Sequence, residues 1–223
     1  MPFPRFESEP SRDILTGPAG GSLVSQYVSI ADLEWLVRLR WLAMVAVSVA
    51  SLVAAELDII ESAAPLLLVA AVVATLNLAW AALTRRARRE AAIPAWVEVV
   101  FGQLLIDLVA LSVLMHLAGG SENPFVIFFA FHMALGAILL PRRPAWALAG
   151  AAAVIHGGIV LTEFVGWLPH HPIHFGGILH AGGHGALTAP FYSEPAHVGA
   201  HLVAFWCGLC GVVYFARTVR ERQ

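Results

Sequence analysis

Gln103 and Asp107 stand four residues apart in an otherwise oily run, which puts an amide and a carboxyl group on one face of a helix. An ionisable side chain at lipid depth is costly, so it faces a bundle interior, pairs with another group, or marks a ligand or proton path. Asp107 also suits a plainer role, as a carboxylic acid bonded to Gln103 or to Asn77 of the preceding apolar run, tying helices together. His116 follows nine residues after Asp107, half a turn round, and cannot share its face.

The segment Gly119-Gly120-Ser121-Glu122-Asn123-Pro124-Phe125 joins two apolar runs by a very short turn. Gly119 and Gly120 suit a left-handed cap, Asn123 an N-cap and Pro124 a first helical position, so local structure alone accounts for them. The same turn offers chemistry. A helix starting at Pro124 presents unpaired N–H groups and a partial positive charge, to which a carbonyl or anion can dock. Phe125, Phe128 and His132 then recur at spacings of three and four, giving one face that is either an aromatic packing stripe or a slot for a flat ring ending at an imidazole.

Seven of the ten histidines crowd the last third of the chain: His170, His171, His174, His180, His184, His197 and His201. His197 and His201 are four apart and can meet one metal ion from a helix, zinc or copper for imidazole ligands, with the preceding loop supplying a third ligand. An ion-free, partly solvated interfacial loop is the other reading. His156 and Glu163 fall on nearly one face, spaced to relay protons or to pair with neighbouring helices. Cys207 and Cys210 lie in an apolar run with no thioredoxin-like surroundings and read as small buried residues.

The elements that must position these groups are membrane helices. A composition 59% hydrophobic and only 13% charged cannot cover a soluble surface; mean hydropathy is +0.76. With 13 basic against 15 acidic residues there is no basic stripe, and nucleic acid is excluded as a partner. The expected fold is an all-α integral membrane bundle of six transmembrane helices. A span needs roughly 20 apolar residues to cross about 30 Å of hydrocarbon. Six stretches qualify: Val37 to Ala55, Ala64 to Leu83, Trp96 to Leu117, Pro124 to Leu140, Pro144 to Leu168 and Ala196 to Phe215. The first and fourth are short, and the first works with Arg38 and Arg40 snorkelling to the interface and Trp41 at headgroup level. Arginines flank alternate ends, at Arg38 and Arg40, Arg85 to Arg89, Arg142 and Arg143, and Arg217 to Arg222, while the other loops carry Asp58, Glu61, Glu122 and Glu194. The positive-inside rule then places both termini in the cytoplasm. Residues 1–34 read as a cytoplasmic tail without a signal peptide, 35–216 as one membrane domain and 217–223 as the start of a cytoplasmic linker.

The Gly119-to-Phe125 heptapeptide resembles the GGxxNPF signature of RegB/PrrB-type redox-sensing histidine kinases. Leu39-Arg40-Trp41-Leu42-Ala43 resembles that family's LRWLA segment at span one, and Gln103 with Asp107 its QLxxD start of span three. The likeness extends over roughly residues 35 to 145; spans five and six agree in number and direction only. It implies a membrane sensor of a two-component system in the bacterial inner membrane, homodimeric, reading ubiquinone or another quinone at the turn between spans three and four. The implied quinone site comprises Gly119, Gly120, Asn123, Pro124 and Phe125, to which the residue reading adds Phe128, His132, Gln103 and Asp107. Relatives continue into a phosphoacceptor helix and an ATP-binding domain, through which a response regulator is reached. This chain ends at Gln223, so no catalytic residue is expected in it and whether it belongs to an enzyme is left open.

Overall fold

The computed structural model describes residues 29–90, 96–120, 123–171 and 195–222, and no strand occurs among them. Lipid offers the backbone no hydrogen-bond partner, so the apolar runs satisfy their own amides as helices. They are α1 (Ser29–Glu56), α2 (Ala64–Glu90), α3 (Trp96–Leu117), a 3-10 turn (Pro124–Val126) leading into α4 (Ile127–Leu139), α5 (Arg142–Val165) and α6 (Pro195–Arg222). All but α4 are long and apolar enough to cross a membrane, whereas Pro124–Leu139 is a shorter apolar helix. The chain is thus a multi-pass membrane protein, and its exposed Leu42, Val154, Tyr214 and Phe215 suit a surface in contact with lipid.

Of the two spans expected to be short, the fourth is and the first is not. The α-helical part of span four has 13 residues, about 20 Å of rise. It stops because Leu140, ahead of Pro141, is driven to an extended conformation (φ −101°, ψ 152°). Span one is long rather than short: α1 begins at Ser29, inside the segment read as a tail, so Arg40 sits three turns into the helix instead of at its mouth.

The helices alternate in direction, so Arg85, Arg86, Arg142, Arg143, Arg217 and Arg220 gather at one end of the bundle, called here the arginine end. The turns with Asp58 and Glu61, and the segment after α5, lie at the opposite, acidic end. The core lies among α3, α4, α5 and α6, where Leu104, Leu108, Phe129, Met133, Leu148, Ala152 and Val213 are buried, and α1 adds Leu33 and Leu36. α2 packs on α1 and lends nothing to that cluster.

A close approach of α4 to α5 depends on Gly136, where an added Cβ would stand 2.7 Å from Leu148 Cδ2. Leu148 is itself fully enclosed, so its methyl group can yield only against packed neighbours. Gly136→Ala is therefore expected to lower stability by about 1–3 kcal/mol, the usual cost of overpacking. Thermal unfolding in detergent measures it, and Leu148→Ala added to Gly136→Ala should recover part of the loss. Equal midpoints for Gly136→Ala and the parent would show that the two helices are not in tight contact.

Candidate functional site

At the acidic end, the turn between α3 and α4 is built on left-handed backbone. Gly119 has φ +103° and Gly120 φ +57°, a region that favours glycine. Asn123 then caps the 3-10 turn: its Oδ1 accepts from Phe125 N–H at 2.9 Å while its Nδ2 donates to the Ala118 carbonyl at 2.5 Å. Both ends of this buried amide serve the turn. Ser121 and Glu122 lie outside the described residues.

Beyond the cap, Phe125 and Phe128 stack with ring centroids 5.7 Å apart and planes 17° from parallel. Both are about half exposed on the helix exterior, where a flat ring in the bilayer can reach them. Half-buried His132 follows one turn below Phe128, its Nδ1 2.7 Å from the Phe128 carbonyl oxygen. A carbonyl can only accept, so Nδ1 carries the proton and a neutral His132 keeps Nε2 as an acceptor.

Gln103 and Asp107 share a face as the spacing predicts, but they lie about three to four turns from that loop and turn toward α1. Arg40 Nε donates to both Asp107 oxygens, at 2.8 and 2.9 Å, and Arg40 Nη1 donates to Gln103 Oε1 at 2.7 Å. Arg40 therefore does not snorkel. Its side chain is 8% exposed and that of Asp107 12%. Asp107 pairs with neither Gln103 nor Asn77; Asn77 instead donates to the Val37 carbonyl of α1 at 3.0 Å. Two further buried donors of the cluster, Arg40 Nη2 and Gln103 Nε2, have no hydrogen-bond partner.

On the opposite side of α3 lies a second polar cluster, in which Glu163 pairs with a neighbouring helix, one of the two roles its sequence position suggested, through partners the sequence did not name. Glu163, its side chain wholly buried, receives His116 Nδ1 at 2.5 Å on Oε1 and His170 Nδ1 at 3.2 Å on Oε2. His171 sets its ring edge-on to His116, with centroids 5.3 Å apart. His171 also joins Ile60, Glu61, Ser62, Pro65 and Leu117 around a cavity of about 90 Å³. Glu163 and His156 share a face of α5 but do not pair with each other. Buried His156 meets His201 of α6, Nε2 to Nε2, at 3.2 Å between the rings of Phe129 and Phe205.

The histidine cluster thus divides. His201 is engaged by His156, and no three His, Cys, Asp or Glu side chains converge as a metal site among the described residues. His174, His180 and His184 lie outside those residues. Cys207 and Cys210 are unbonded, and Cys207 faces outward rather than being buried.

One signal for the missed pairings was available. Arg40 and Asp107 are opposite charges in apolar runs, as are Glu163 and any protonated histidine near the same end, and each is cheapest when paired. Which helices adjoin was not readable, so the partners were not either.

No curated protein and no solved structure matches the chain. The PilS-like transmembrane domain does match, over residues 25–191, a stretch that takes in α1 to α5 and both polar clusters of α3. The chain accordingly belongs to the PilS-like six-transmembrane family, a transmembrane sensor domain of histidine kinases.

Proposed function

We propose that this chain is the membrane sensor module of a redox-responsive histidine kinase of the RegB/PrrB type, and that its ligand is a quinone lying in the bilayer against the start of α4. In this reading the arginine end faces the cytoplasm of a bacterium and the acidic end the outer compartment, as the arginine distribution favours. The module works as a homodimer and passes its state through α6 to a kinase core and thence to a response regulator.

The observation that carries the reading is the stacked, outward-facing Phe125–Phe128 pair with His132 one turn below. Flat rings favour offset stacking on such a surface. His132 supplies discrimination, because Nε2 of the neutral ring can accept from a quinol hydroxyl but cannot donate to a quinone carbonyl. A ligand shifts a two-state protein only by its unequal affinity for the states, so this difference is the source of the signal. Asn123 holds the turn that aims the phenylalanines, and its spare amide hydrogen faces no requirement from the cap. Gln103 and Asp107 brace α3 through Arg40 rather than touching the ring.

Two contacts lead from this site to α6. Phe129, the neighbour of Phe128, packs edge-on against Phe205 at 5.1 Å. At the far end of α4, Arg217 and Arg220 donate to the Leu140 carbonyl at 3.4 and 3.2 Å, cations on the negative pole of the helix.

Protein purified in nanodiscs with ubiquinone should retain it, and Phe125→Ala should reduce retention by roughly three- to tenfold, the equivalent of one lost aromatic stack at about 0.5–1.5 kcal/mol. His132→Phe should bind quinone and quinol alike, where the parent prefers quinol. Equal retention by the parent, Phe125→Ala and Phe128→Ala would remove the quinone from this face and leave the sensor domain without an assigned ligand.

A further inference from the structure

α2 lends nothing to the core cluster, yet it carries the densest group of cations in the chain, Arg85, Arg86, Arg88 and Arg89. Two general demands account for cations at this place. Basic residues mark the end of a span, and they oppose the negative pole of a helix C-terminus. Neither demand chooses a face of the helix. Ala82, Arg85, Arg86 and Arg89 nevertheless fall at i, i+3, i+4 and i+7, so they share one. Together they wall a recess of about 510 Å³, within the roughly 300–1,000 Å³ of small-molecule sites.

The recess lies at the membrane boundary. The part of α2 apolar enough to span ends at Arg86, and the helix runs on to Glu90. Ala82 and Arg89 are separated by about 10 Å of rise, which carries the recess from the edge of the hydrocarbon into the headgroup layer. Beneath Ala82 the same face continues through exposed Leu78 and Thr75. Thr75 turns its hydroxyl back on the Ala71 carbonyl of its own helix, at 2.9 Å, so the lane below the arginines is apolar.

We propose that this face of α2 binds an anionic phospholipid, with the phosphate among the arginines and the acyl chains along Leu78 and Thr75. The proposal needs the arginine end to meet a leaflet of the bilayer and makes no use of the quinone.

The charges decide the class of lipid. A guanidinium presents a fork of N–H donors that matches phosphate oxygens in pairs. Arg85 Nε donates to the Ala81 carbonyl at 3.2 Å, which ties the base of the fork to the helix and leaves both Nη groups for an outside acceptor. Arg89, one turn on, supplies the second fork, while Arg86 is engaged within the protein and serves as a wall. The helix C-terminus repels an anion with the equivalent of about half a charge, which two guanidiniums outweigh. From Arg85 to Glu90 there are four arginines against one glutamate. A zwitterionic headgroup would bring its own cation into this group and be repelled, whereas an anionic one brings none.

The test counts bound lipids. The full chain, solubilised from bilayers of equal phosphatidylglycerol and phosphatidylcholine, should by native mass spectrometry retain phosphatidylglycerol in roughly ten- to thirtyfold preference, the scale of two arginines at an anionic surface. Arg85→Gln with Arg89→Gln should bring the two lipids close to equal retention. Both side chains are exposed, so this variant should unfold at the parent's temperature, and Arg86 and Arg88 still mark the topology. Ala82→Trp, which fills the recess and leaves every charge in place, should lose the preference as well. Arg142→Gln with Arg143→Gln, at the same end of the bundle, should keep it. Glycerol phosphate in solution should not displace the lipid, because the acyl chains hold to the apolar lane. The parent's preference persisting in either α2 variant overturns the proposal. An equal fall in the Arg142 and Arg143 variant also overturns it, by assigning the preference to diffuse charge, and displacement by glycerol phosphate does so by making the recess a site for free phosphate.

Discussion

Arg40→Leu is expected to destabilise the bundle by about 3–5 kcal/mol, because it strands the Asp107 carboxylate inside the helices with no cation to oppose it. Asp107→Leu should cost a similar amount by stranding Arg40, whose Nη2 is already a buried donor without an acceptor. The double replacement by leucine should be far milder than the sum. A buried ion pair exchanged for apolar side chains of similar volume loses its attraction and its desolvation penalty together. Unfolding in bicelles, followed for the parent, both single variants and the double variant, yields the coupling between the two positions. Additive effects would mean that the guanidinium and the carboxylate do not depend on each other.

The result would also locate what Arg40 does. A basic residue at the start of a span is ordinarily a topological signal, one that could be moved a turn without harm. Here the guanidinium reaches Asp107 and Gln103 of α3 and so joins the α1–α2 pair to the four-helix core. Removing it should loosen α1 and α2 from α3 while leaving α3 to α6 packed around Phe129 and Leu148.

How far the sequence revealed this depends on the kind of information each feature needs. Hydropathy alone places the helices, because a run of apolar residues long enough for the bilayer has few alternatives to spanning it. Turn chemistry was equally local: Gly119, Gly120 and Asn123 adopt the backbone and cap that their types require. The length of α1 was misjudged because Arg38 and Arg40 were read as the water-facing limit of the span, whereas the helix continues back to Ser29 and carries Arg40 inward. Pairing across helices was out of reach. Asp107 on one side of α3 and His116 on the other were separable by their half-turn spacing, but that spacing does not say that α1 supplies one partner and α5 the other. Likewise Glu163 and His156 share a face of α5 and still bond to different helices.

The candidate quinone surface was legible for the same local reason, since Phe125, Phe128 and His132 belong to one helix face and one short element. What the spacing could not tell was which side of α4 the stripe occupies. The structure gives the answer through Phe129, which is fully buried while its neighbours Phe125, Phe128 and Phe131 remain half exposed. α4 thus has an aromatic exterior at Phe125, Phe128 and Phe131 and an aromatic interior against α6. Its short length concentrates the link, because few side chains on α4 face inward.

Phe129→Ala should therefore give a large effect of a different kind. The ring contacts His156 at 4.9 Å and Phe205 at 5.1 Å between centroids, so its removal opens a cavity shared by α4, α5 and α6. Such truncations in packed cores cost about 3–5 kcal/mol. Phe129→Leu, which refills most of the volume, should recover the greater part. If the face at Phe125 and Phe128 speaks to α6 through this ring, Phe129→Leu in nanodiscs should still retain quinone as the parent does. It should nevertheless lose the quinone-dependent change reported by a spin label placed near Arg220, because leucine fills the space without an edge to hold Phe205 in register with Phe128. A preserved quinone response at that label in Phe129→Leu would route the signal elsewhere. The remaining route at the opposite end of α4 would then be the Leu140 carbonyl held by Arg217 and Arg220.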